Sequence, residues 1–227
     1  MLKTTIEHFY GSQEKHSIEL VKLQLDTTNL DEKEALENGW LLDSNRWYQS
    51  RSTRLQISKY NIKNELPNSF SISYIKEPNS TLRDLYRQYI AIRGFNDLVD
   101  YFETDPRSSF LVLSDEQIPV AFTKFIHYAG GLESQLTCWN YHKPKLQLGK
   151  KIISFEIEYA KSLGLDYLYI GEGVESSSIY KADLDGFQFW TGSVWSEDRS
   201  KYKELCIRDS SVKTIYDLSD IFNKETN

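Results

Sequence analysis

Cysteine and histidine are scarce in this chain. Its 227 residues include only two cysteines, Cys138 and Cys206, which are far apart and form no CxxC pair. This excludes a disulfide framework and a zinc site built on paired thiols, and it predicts two buried, reduced thiols. The four histidines show no HxxxH-type ligand spacing. We therefore expect neither a metal site nor a resident cofactor.

Long apolar runs are also missing. No segment approaches the ~18 uninterrupted apolar residues of a membrane-spanning helix. The first residues, MLKTTIEHFYGSQEKHS, lack the continuous apolar core of a secretory signal peptide. Together these absences predict a cytoplasmic protein with no membrane partner.

Positive charge is in deficit. The 33 acidic residues outnumber the 27 lysines and arginines, and the formal net charge is −6. This balance argues against a surface coated with basic groups for duplex DNA, but it leaves room for one local basic patch. The run HKPKLQLGKK (142–151) is the most basic stretch of the chain. A basic patch on an acidic body is typical of a protein that binds a polyanion at one place.

The N-terminal third has the pattern of a small mixed unit. Residues 18–26 and 52–62 alternate apolar and polar side chains, as half-buried strands do. Between them, an acidic segment that stops at Gly39 predicts a helix. We therefore predict a small N-terminal α+β subdomain over residues 1–66 and a larger domain over residues 67–227.

The larger domain shows a specific order of elements. A predicted helix over residues 81–95 carries its apolar positions on one face: Leu82, Leu85, Tyr89 and Ile92. Three predicted strands with tight turns follow, then a helix from about Lys150 to Leu163 that ends at Gly164, and an apolar strand over 167–170. An antiparallel meander that feeds a strand–loop–helix–strand crossover resembles the acyltransferase fold of the GNAT superfamily. The resemblance implies an α+β fold with a mixed, mostly antiparallel sheet and flanking helices.

The loop before the second of these helices has the composition of an anion site. In PKLQLGKKI, Gln147 and Gly149 precede a helix whose first turn holds Lys150 and Lys151. Backbone N–H groups at a helix start attract phosphate, and a glycine allows close approach. GNAT enzymes hold the pyrophosphate of coenzyme A at such a loop, and part of their pattern is present here. The alternative is an ordinary helix start with two solvated lysines.

The segment after the apolar strand combines charged and aromatic side chains. Glu172 directly follows the strand, where a carboxylate is able to orient an amine or take its proton. Tyr180 and Lys181 come next, and a lysine at this place suits the stabilisation of an oxyanion or contact with a phosphate. A turn-capping Glu172 and a solvated Lys181 are the alternatives.

Two further sets of residues are candidates for substrate contacts. Phe187, Phe189 and Trp190 alternate in part, and most of them are expected to pack in the core, Phe187 and Phe189 in particular. Trp190 and Trp195 are also candidates to line a pocket or to stack on a base. Arg51 and Arg54 precede a predicted strand and are suited to bind phosphates or a carboxylate. A generic surface charge pair is the alternative for the two arginines.

Taken in order, these segments resemble the aminoacyl-tRNA–protein transferases of the arginyltransferase type, which include the bacterial aspartate/glutamate leucyltransferases. The matching segments are NGWLLDSNRWYQSRSTRLQISKYN (38–61), LYRQYIAIRG (85–94), KPKLQLGKKIISFEIEYAKSLGLDYLYIGEG (143–173) and IYKADLDGF (179–187). The family carries paired cysteines in its N-terminal region. This chain has HFYGS (8–12) and YQSRS (48–52) at the places where those cysteines are expected.

The resemblance implies a GNAT-like domain that takes its acyl group from aminoacyl-tRNA and forms an amide on a protein, peptide or small-amine acceptor. It implies that Gly149 and the helix start approach the tRNA 3′ end. It also implies that Glu172, Tyr180 and Lys181 line the acyl-transfer cleft. Two other classes remain open: an acyl-CoA-dependent N-acyltransferase and a catalytically silent binding module of the same fold.

Overall fold

A computed structural model describes most of the chain, namely residues 2–7, 20–25, 31–43, 46–61, 67–93, 105–141, 146–174 and 176–210. The chain divides into two compact units. The terminal unit consists of residues 1–53 and 172–227, and the central unit consists of residues 54–171. The predicted division into residues 1–66 and 67–227 stays a prediction.

The described residues form strands and helices in the following chain order: β1 (Leu2–Glu7), β2 (Leu20–Leu25), α1 (Glu32–Glu37), β3 (Trp40–Asp43), β4 (Arg46–Gln49), β5 (Ser52–Gln56), β6 (Phe70–Ile75), α2 (Ser80–Arg93), β7 (Ser108–Asp115), β8 (Ile118–Tyr128), β9 (Gly131–Trp139), α3 (Leu148–Ser162), β10 (Tyr167–Glu172), β11 (Phe187–Trp190), β12 (Trp195–Ser196) and α4 (Arg199–Asp209). Short 3₁₀ segments cover Ile57–Lys59 and Ser176–Asp183. The unit boundaries fall inside β5 and β10.

The central unit is built on a mostly antiparallel sheet. Its strands follow the order β5-β10-β9-β8-β7-β6. Strands β6 to β9 pair antiparallel, whereas β10 lies parallel to β9 with Leu168 opposite Leu132. Helix α3 makes the crossover between the two parallel strands, which cannot be joined by a tight turn. The predicted α+β fold, with a meander that feeds a crossover, is therefore confirmed.

Helix α2 packs on one face of this sheet. Its buried stripe has the spacing of an amphipathic helix and consists of Leu82, Leu85, Tyr86, Tyr89 and Ile90. The sheet contributes Phe110, Val112, Phe122 and Cys138 to the same core. The prediction that Ile92 joins this face is wrong, since its exposed fraction is 46%. The stripe continues through Tyr86 and Ile90 instead, and this rotation leaves Ile92 outside it.

Helix α3 covers the opposite face. Phe122 and Thr123 are consecutive in β8 and so point to opposite sides of the sheet. Phe122 lies in the α2 core, whereas the hydroxyl of Thr123 donates a hydrogen bond to Glu156 of α3. The helix ends before Gly164, whose φ of +72° is the left-handed conformation expected after a helix. The predicted helix and its terminating glycine are confirmed, with the start at Leu148 instead of Lys150.

The terminal unit contains a second sheet, with the antiparallel order β1-β2-β4-β3. Strand β2 confirms the strand predicted over residues 18–26. Helix α1 begins after Asp31, whose side chain accepts a hydrogen bond from the Glu34 amide at 2.9 Å. Strands β11 and β12 form a short antiparallel pair with Trp190 opposite Trp195.

Strand β5 differs from its prediction. It ends at Gln56 and is followed by a 3₁₀ turn, so the predicted strand over 52–62 is too long. It is also buried at four successive positions instead of alternating: Ser52, Thr53, Arg54 and Leu55. Polar residues are tolerated there because they have partners, as the Ser52 hydroxyl shows by donating to the Gly39 carbonyl at 2.6 Å.

Candidate active site

A buried lysine marks the end of strand β10. The Lys181 side chain has an exposed fraction of only 8%. Its ammonium donates a hydrogen bond to the backbone carbonyl of Glu172 at 2.7 Å and lies 3.5 Å from the hydroxyl of Thr53. Burying an ammonium costs free energy unless hydrogen-bond acceptors replace its water. The solvated lysine that the sequence left as an alternative is therefore ruled out.

The local chain path explains how Lys181 reaches Glu172. Strand β10 ends at Glu172, and the chain then turns into the 3₁₀ segment Ser176–Asp183. That segment closes with a bond from the Leu184 amide to the Lys181 carbonyl at 3.1 Å. The lysine side chain thereby points back to the strand end from which its own segment departs.

The other two predicted catalytic residues differ in environment. Glu172 is half-buried, and its carboxylate oxygen Oε2 is shielded from solvent. Tyr180 is adjacent to Lys181 in sequence but is 47% exposed. The structure thus brings the Glu172 backbone and the Lys181 ammonium together. The catalytic role of all three side chains stays a prediction.

Gly173 is the residue around which this strand end is assembled. Its amide donates to the Arg51 carbonyl at 2.9 Å, and its own carbonyl accepts from Arg51 Nη1 at 3.2 Å. The Cys206 thiol also points at this carbonyl, with Sγ at 3.6 Å. A methyl group on Gly173 would lie 2.7 Å from the ring carbon Cζ of Tyr202, which is closer than side chains tolerate. A glycine is required here by space and not by backbone conformation.

Arg51 is held by the protein itself. Its guanidinium forms an ion pair with Asp209 of α4, and both side chains are largely buried. Burial raises the pKa of Asp209, although the neighbouring Arg51 opposes this shift. A substrate contact by Arg51 stays a prediction, but its observed partners are the Asp209 carboxylate and the Gly173 carbonyl.

Three residues of α4 complete this arrangement, and none of them was predicted to belong to the site, although Cys206 was predicted to be a buried thiol. Tyr202, Cys206 and Asp209 are spaced at four and three residues and so lie along one face of the helix. Burial raises the pKa of the Tyr202 phenol, which therefore stays protonated and donates to the Ser178 carbonyl at 3.2 Å. That spacing is a signal the sequence does contain, but nothing local connects it to residues 173–181.

The aromatic strand β11 lies in the interior of the terminal unit. Phe187 and Phe189 contact the Tyr202 ring at centroid distances of 4.6 Å and 5.3 Å, so their predicted packing role is confirmed. Trp190 is 5% exposed and lies against Gly39, where a methyl group would fall 2.6 Å from its ring. Its indole nitrogen has no hydrogen-bond partner within the part of the chain that the structure describes. The substrate contact of Trp190 stays a prediction.

The predicted anion loop belongs to the central unit. Gln147 adopts the left-handed conformation at φ 49°, and its carbonyl accepts from the amides of Lys150 and Lys151 at 2.9 Å and 3.1 Å. Gly149 lies in the first turn of α3 and not before it. A methyl group there would lie 3.1 Å from the Trp139 ring, so close packing accounts for this glycine. His142, Lys143 and Lys145 of the basic run lie outside the described residues.

Arg54 is also in the central unit and is buried. Its guanidinium lies over the Tyr167 ring, 3.7 Å from the ring centroid, which is cation–π geometry. The alternative of a generic surface charge pair is ruled out, because both arginine side chains are largely buried. Binding of a substrate by Arg54 stays a prediction.

Two general features concern metals and membranes. Within the described ranges, no three or more His, Cys, Asp or Glu side chains come together as a metal site. No described helix combines the length and the apolarity needed to cross a bilayer.

Comparison with known proteins gives a partial match. No protein-family model matches the chain. Over 108 residues it is 30% identical to the aspartate/glutamate leucyltransferase of Alkalilimnicola ehrlichii, which covers 45% of this chain and 44% of that protein. The match therefore spans less than half the length of the curated relative.

Two solved structures illustrate the structural neighbours. A GCN5-related N-acetyltransferase from Kribbella flavida aligns over 54% of this chain and 48% of its own, with 15% identity and a TM-score of 0.39. The L-PGS structure from Bacillus licheniformis aligns over 68% of this chain and 55% of its own, with 14% identity and a TM-score of 0.43.

Proposed function

We propose that this protein is an aminoacyl-tRNA-dependent aminoacyltransferase that forms an amide bond on a protein, peptide or small-amine acceptor. The similarity to an aspartate/glutamate leucyltransferase carries this proposal, because that relative is named for the transfer of an aminoacyl group. The meander and crossover of the central unit and the buried Lys181 add support.

The reaction requires little covalent chemistry from the protein. The acceptor nitrogen attacks the ester carbonyl carbon of the charged tRNA, a C–N bond forms, and the C–O bond to the terminal ribose breaks. The proton that the amine loses ends on the released ribose hydroxyl. Because the ester is already activated, the protein contributes mainly by positioning the substrates and by stabilising the tetrahedral oxyanion.

Lys181 is the proposed source of that stabilisation. A positive charge in a buried site acts on a developing oxyanion more strongly than it would in water. Its bond to the Glu172 carbonyl fixes the ammonium before any substrate arrives, and a preorganised charge needs no rearrangement during the reaction. Glu172 is proposed to accept the proton of the attacking amine, and the neighbouring Tyr180 hydroxyl to contact substrate.

Residues of the central unit are proposed to contribute to affinity instead of chemistry. Lys150 is exposed and Lys151 is half-buried in the first turn of α3. We propose that both, with Gln147 and Gly149, contact a phosphate of the donor. Arg54 of the central unit, and Arg51 and Trp190 of the terminal unit, stay as proposed substrate contacts, although the observed partners of the arginines favour structural roles.

Transfer from a labelled pool of aminoacyl-tRNAs tests the proposal. The protein is incubated with total tRNA charged with radiolabelled amino acids and with a mixture of proteins, peptides and small amines. We expect label to appear in hot-acid-precipitable protein or in a peptide or amine product, and we expect ribonuclease pretreatment of the tRNA to abolish it. Absence of transfer from every charged tRNA would overturn the proposal.

An acyl-CoA-dependent N-acyltransferase is the second candidate. The strand order of the central unit, an antiparallel meander followed by the α3 crossover, favours it. The same acceptor mixture is therefore incubated with labelled acetyl-CoA in parallel. Acyl transfer from coenzyme A without any response to charged tRNA would select this candidate over the first.

A further inference from the structure

Helix α4 contacts the segment that carries Lys181 and also the Gly173 carbonyl, which directly follows the peptide group whose Glu172 carbonyl receives the Lys181 ammonium. The lysine is therefore constrained at both ends, at its backbone and at its charged tip. Residues on or directly after α4 take part in both constraints.

The first constraint acts on the acceptor of the ammonium. The Lys181 ammonium binds the carbonyl of Glu172, which belongs to the peptide group shared with Gly173. The Gly173 amide and carbonyl are both bonded to Arg51. Arg51 in turn is paired with Asp209 of α4, and the Cys206 thiol of α4 points at the Gly173 carbonyl. The peptide that receives the lysine is bonded to the Arg51 backbone carbonyl, whereas the Arg51 guanidinium and Cys206 bind the Gly173 carbonyl of the next peptide. The contacts from α4 therefore fix the peptide adjacent to the one that receives the ammonium.

The second constraint acts on the backbone that carries Lys181. The Tyr202 hydroxyl donates to the Ser178 carbonyl at 3.2 Å, three residues before the lysine. At the helix end, the Ser210 hydroxyl accepts from the Ser176 amide at 2.7 Å. Lys203 pairs with Asp183 at 2.7 Å on the other side of Lys181. Side chains on or directly after α4 therefore bind the lysine segment before and after the lysine.

We infer that α4 is the positioning element for the Lys181 ammonium, and that Tyr202 and Asp209 are positioning residues for the acyl transfer. The placement of the lysine follows from the contacts of the terminal unit alone, whereas its effect on catalysis rests on the proposed function. Tyr202 holds the backbone of the lysine segment. Asp209 holds the Arg51 guanidinium, which binds the Gly173 carbonyl directly after the peptide that receives the ammonium.

Two substitutions test the inference. Tyr202→Phe removes the hydroxyl that binds Ser178 and keeps the ring between Phe187 and Phe189. Asp209→Asn keeps the shape of the side chain and removes the charge that holds Arg51. We expect each variant to lower kcat for transfer about tenfold with little change in KM, because substrate binding is retained while the ammonium loses its fixed place. Glu204→Gln is the matched control, since Glu204 is on the same helix and binds only the exposed Lys201 among its described contacts.

A second measurement does not depend on activity. Reductive methylation with formaldehyde and cyanoborohydride, followed by mass spectrometry, reports how accessible the Lys181 amine is. We expect Lys181 to react slowly in the unmodified protein and at least fivefold faster in Tyr202→Phe, with the exposed Lys150 of the central unit as internal reference. Urea unfolding of each variant separates local release of the lysine from general loss of stability.

The outcomes separate this inference from the proposed function. If the protein transfers amino acids but Tyr202→Phe and Asp209→Asn change neither kcat nor Lys181 methylation, the inference is wrong and the proposed function stands. If no transfer is found but both variants accelerate methylation of Lys181, the positioning role of α4 stands and the proposed function fails.

Discussion

The two units of this protein each present lysines as candidates for an anionic substrate, and they do so in opposite ways. In the terminal unit, Lys181 is buried and its ammonium is bonded to a backbone carbonyl. In the central unit, Lys150 stands exposed in the first turn of α3. A buried charge is costly and has a defined position, whereas an exposed charge costs little and is screened by salt. The first arrangement suits chemistry and the second suits affinity.

Removal of the Lys181 charge should have the largest effect. We expect Lys181→Met to lower kcat for transfer by about 10²–10³, which is typical for the loss of one group that stabilises an oxyanion. The apolar replacement fills similar space but removes the ammonium donor of the Glu172 carbonyl, so the free energy of unfolding should fall by ~1–3 kcal/mol. Kinetics and urea unfolding are measured together, with the exposed Lys201→Met as control. If kcat of Lys181→Met falls by no more than a few fold, the buried lysine does not carry the chemistry and the contrast with Lys150 is wrong.

An added methyl group should cost more stability at Gly173 of the terminal unit than at Gly149 of the central unit. We expect Gly173→Ala to lower the free energy of unfolding by ~1–3 kcal/mol, because the new methyl overlaps the Tyr202 ring. Gly149→Ala should lower the free energy of unfolding less, since the tight 3.1 Å contact of its methyl with the Trp139 ring is opposed by the helix preference of alanine, worth up to ~1 kcal/mol. Urea unfolding measures both.

The double variant Gly173→Ala/Tyr202→Phe sharpens this test. Removal of the tyrosine hydroxyl relieves the shortest overlap, so part of the lost stability should return. The close packing inferred at Gly173 would be contradicted if Gly173→Ala and Gly149→Ala lowered the free energy of unfolding equally. It would also be contradicted if the double variant were no more stable than Gly173→Ala.

Neutralisation of the α3 lysines should have a smaller effect, and a different one. We expect Lys150→Gln/Lys151→Gln to raise KM for the charged tRNA by about two- to tenfold and to leave kcat unchanged, as for exposed charges. The dependence of binding on salt should weaken by about one phosphate contact for each lysine. Measurement of KM at several salt concentrations checks both. A loss in kcat here would contradict the assignment of chemistry to the terminal unit.

Protonation of His127, which belongs to the central unit, should have the smallest effect, and this effect is on the free energy of unfolding. Its Nε2 lies 2.7 Å from the Ser109 hydroxyl, and burial together with the charge of Lys76 lowers its pKa below the usual 6.5. The neutral form is thus favoured in the folded state. The resulting stability is present above pH 6.5 and is lost as the pH falls through the lower folded-state pKa.

The measurement for His127 is a comparison of pH profiles. We expect the free energy of unfolding to decline more steeply between about pH 7 and pH 5 in the unmodified protein than in His127→Gln, which does not titrate. Identical profiles would show that protonation of His127 is not coupled to folding.

Much of the fold could be predicted because its signals are local. The tight turns of the β7–β9 meander, the α3 helix and Gly164 follow from periodicity and turn residues over short windows. The errors arose where burial overrides the local pattern. Strand β5 buries Ser52 and Thr53 although both are polar, and Ile92 is apolar but exposed. In each case the deciding contact comes from residues distant in sequence.

The candidate site could be predicted only in part for the same reason. Glu172 and Lys181 are only nine residues apart, and the sequence placed both in the segment that follows the predicted strand over 167–170. The pairing of Arg51 with Asp209 joins residues 158 positions apart, and no local pattern connects them. Three α4 residues, Tyr202, Cys206 and Asp209, were therefore missed although their spacing on one helix face is visible.

The sequence by itself determined the order of elements, the α+β class and the presence of a lysine segment after the crossover strand. These follow from side-chain periodicity and backbone preference, which act over a few residues. Only the tertiary structure decided that Lys181 is buried and bonded while Lys150 is exposed. The physical reason is that burial and hydrogen-bond partners depend on which distant segments cover a side chain, and the cost of desolvating a charge depends on those partners.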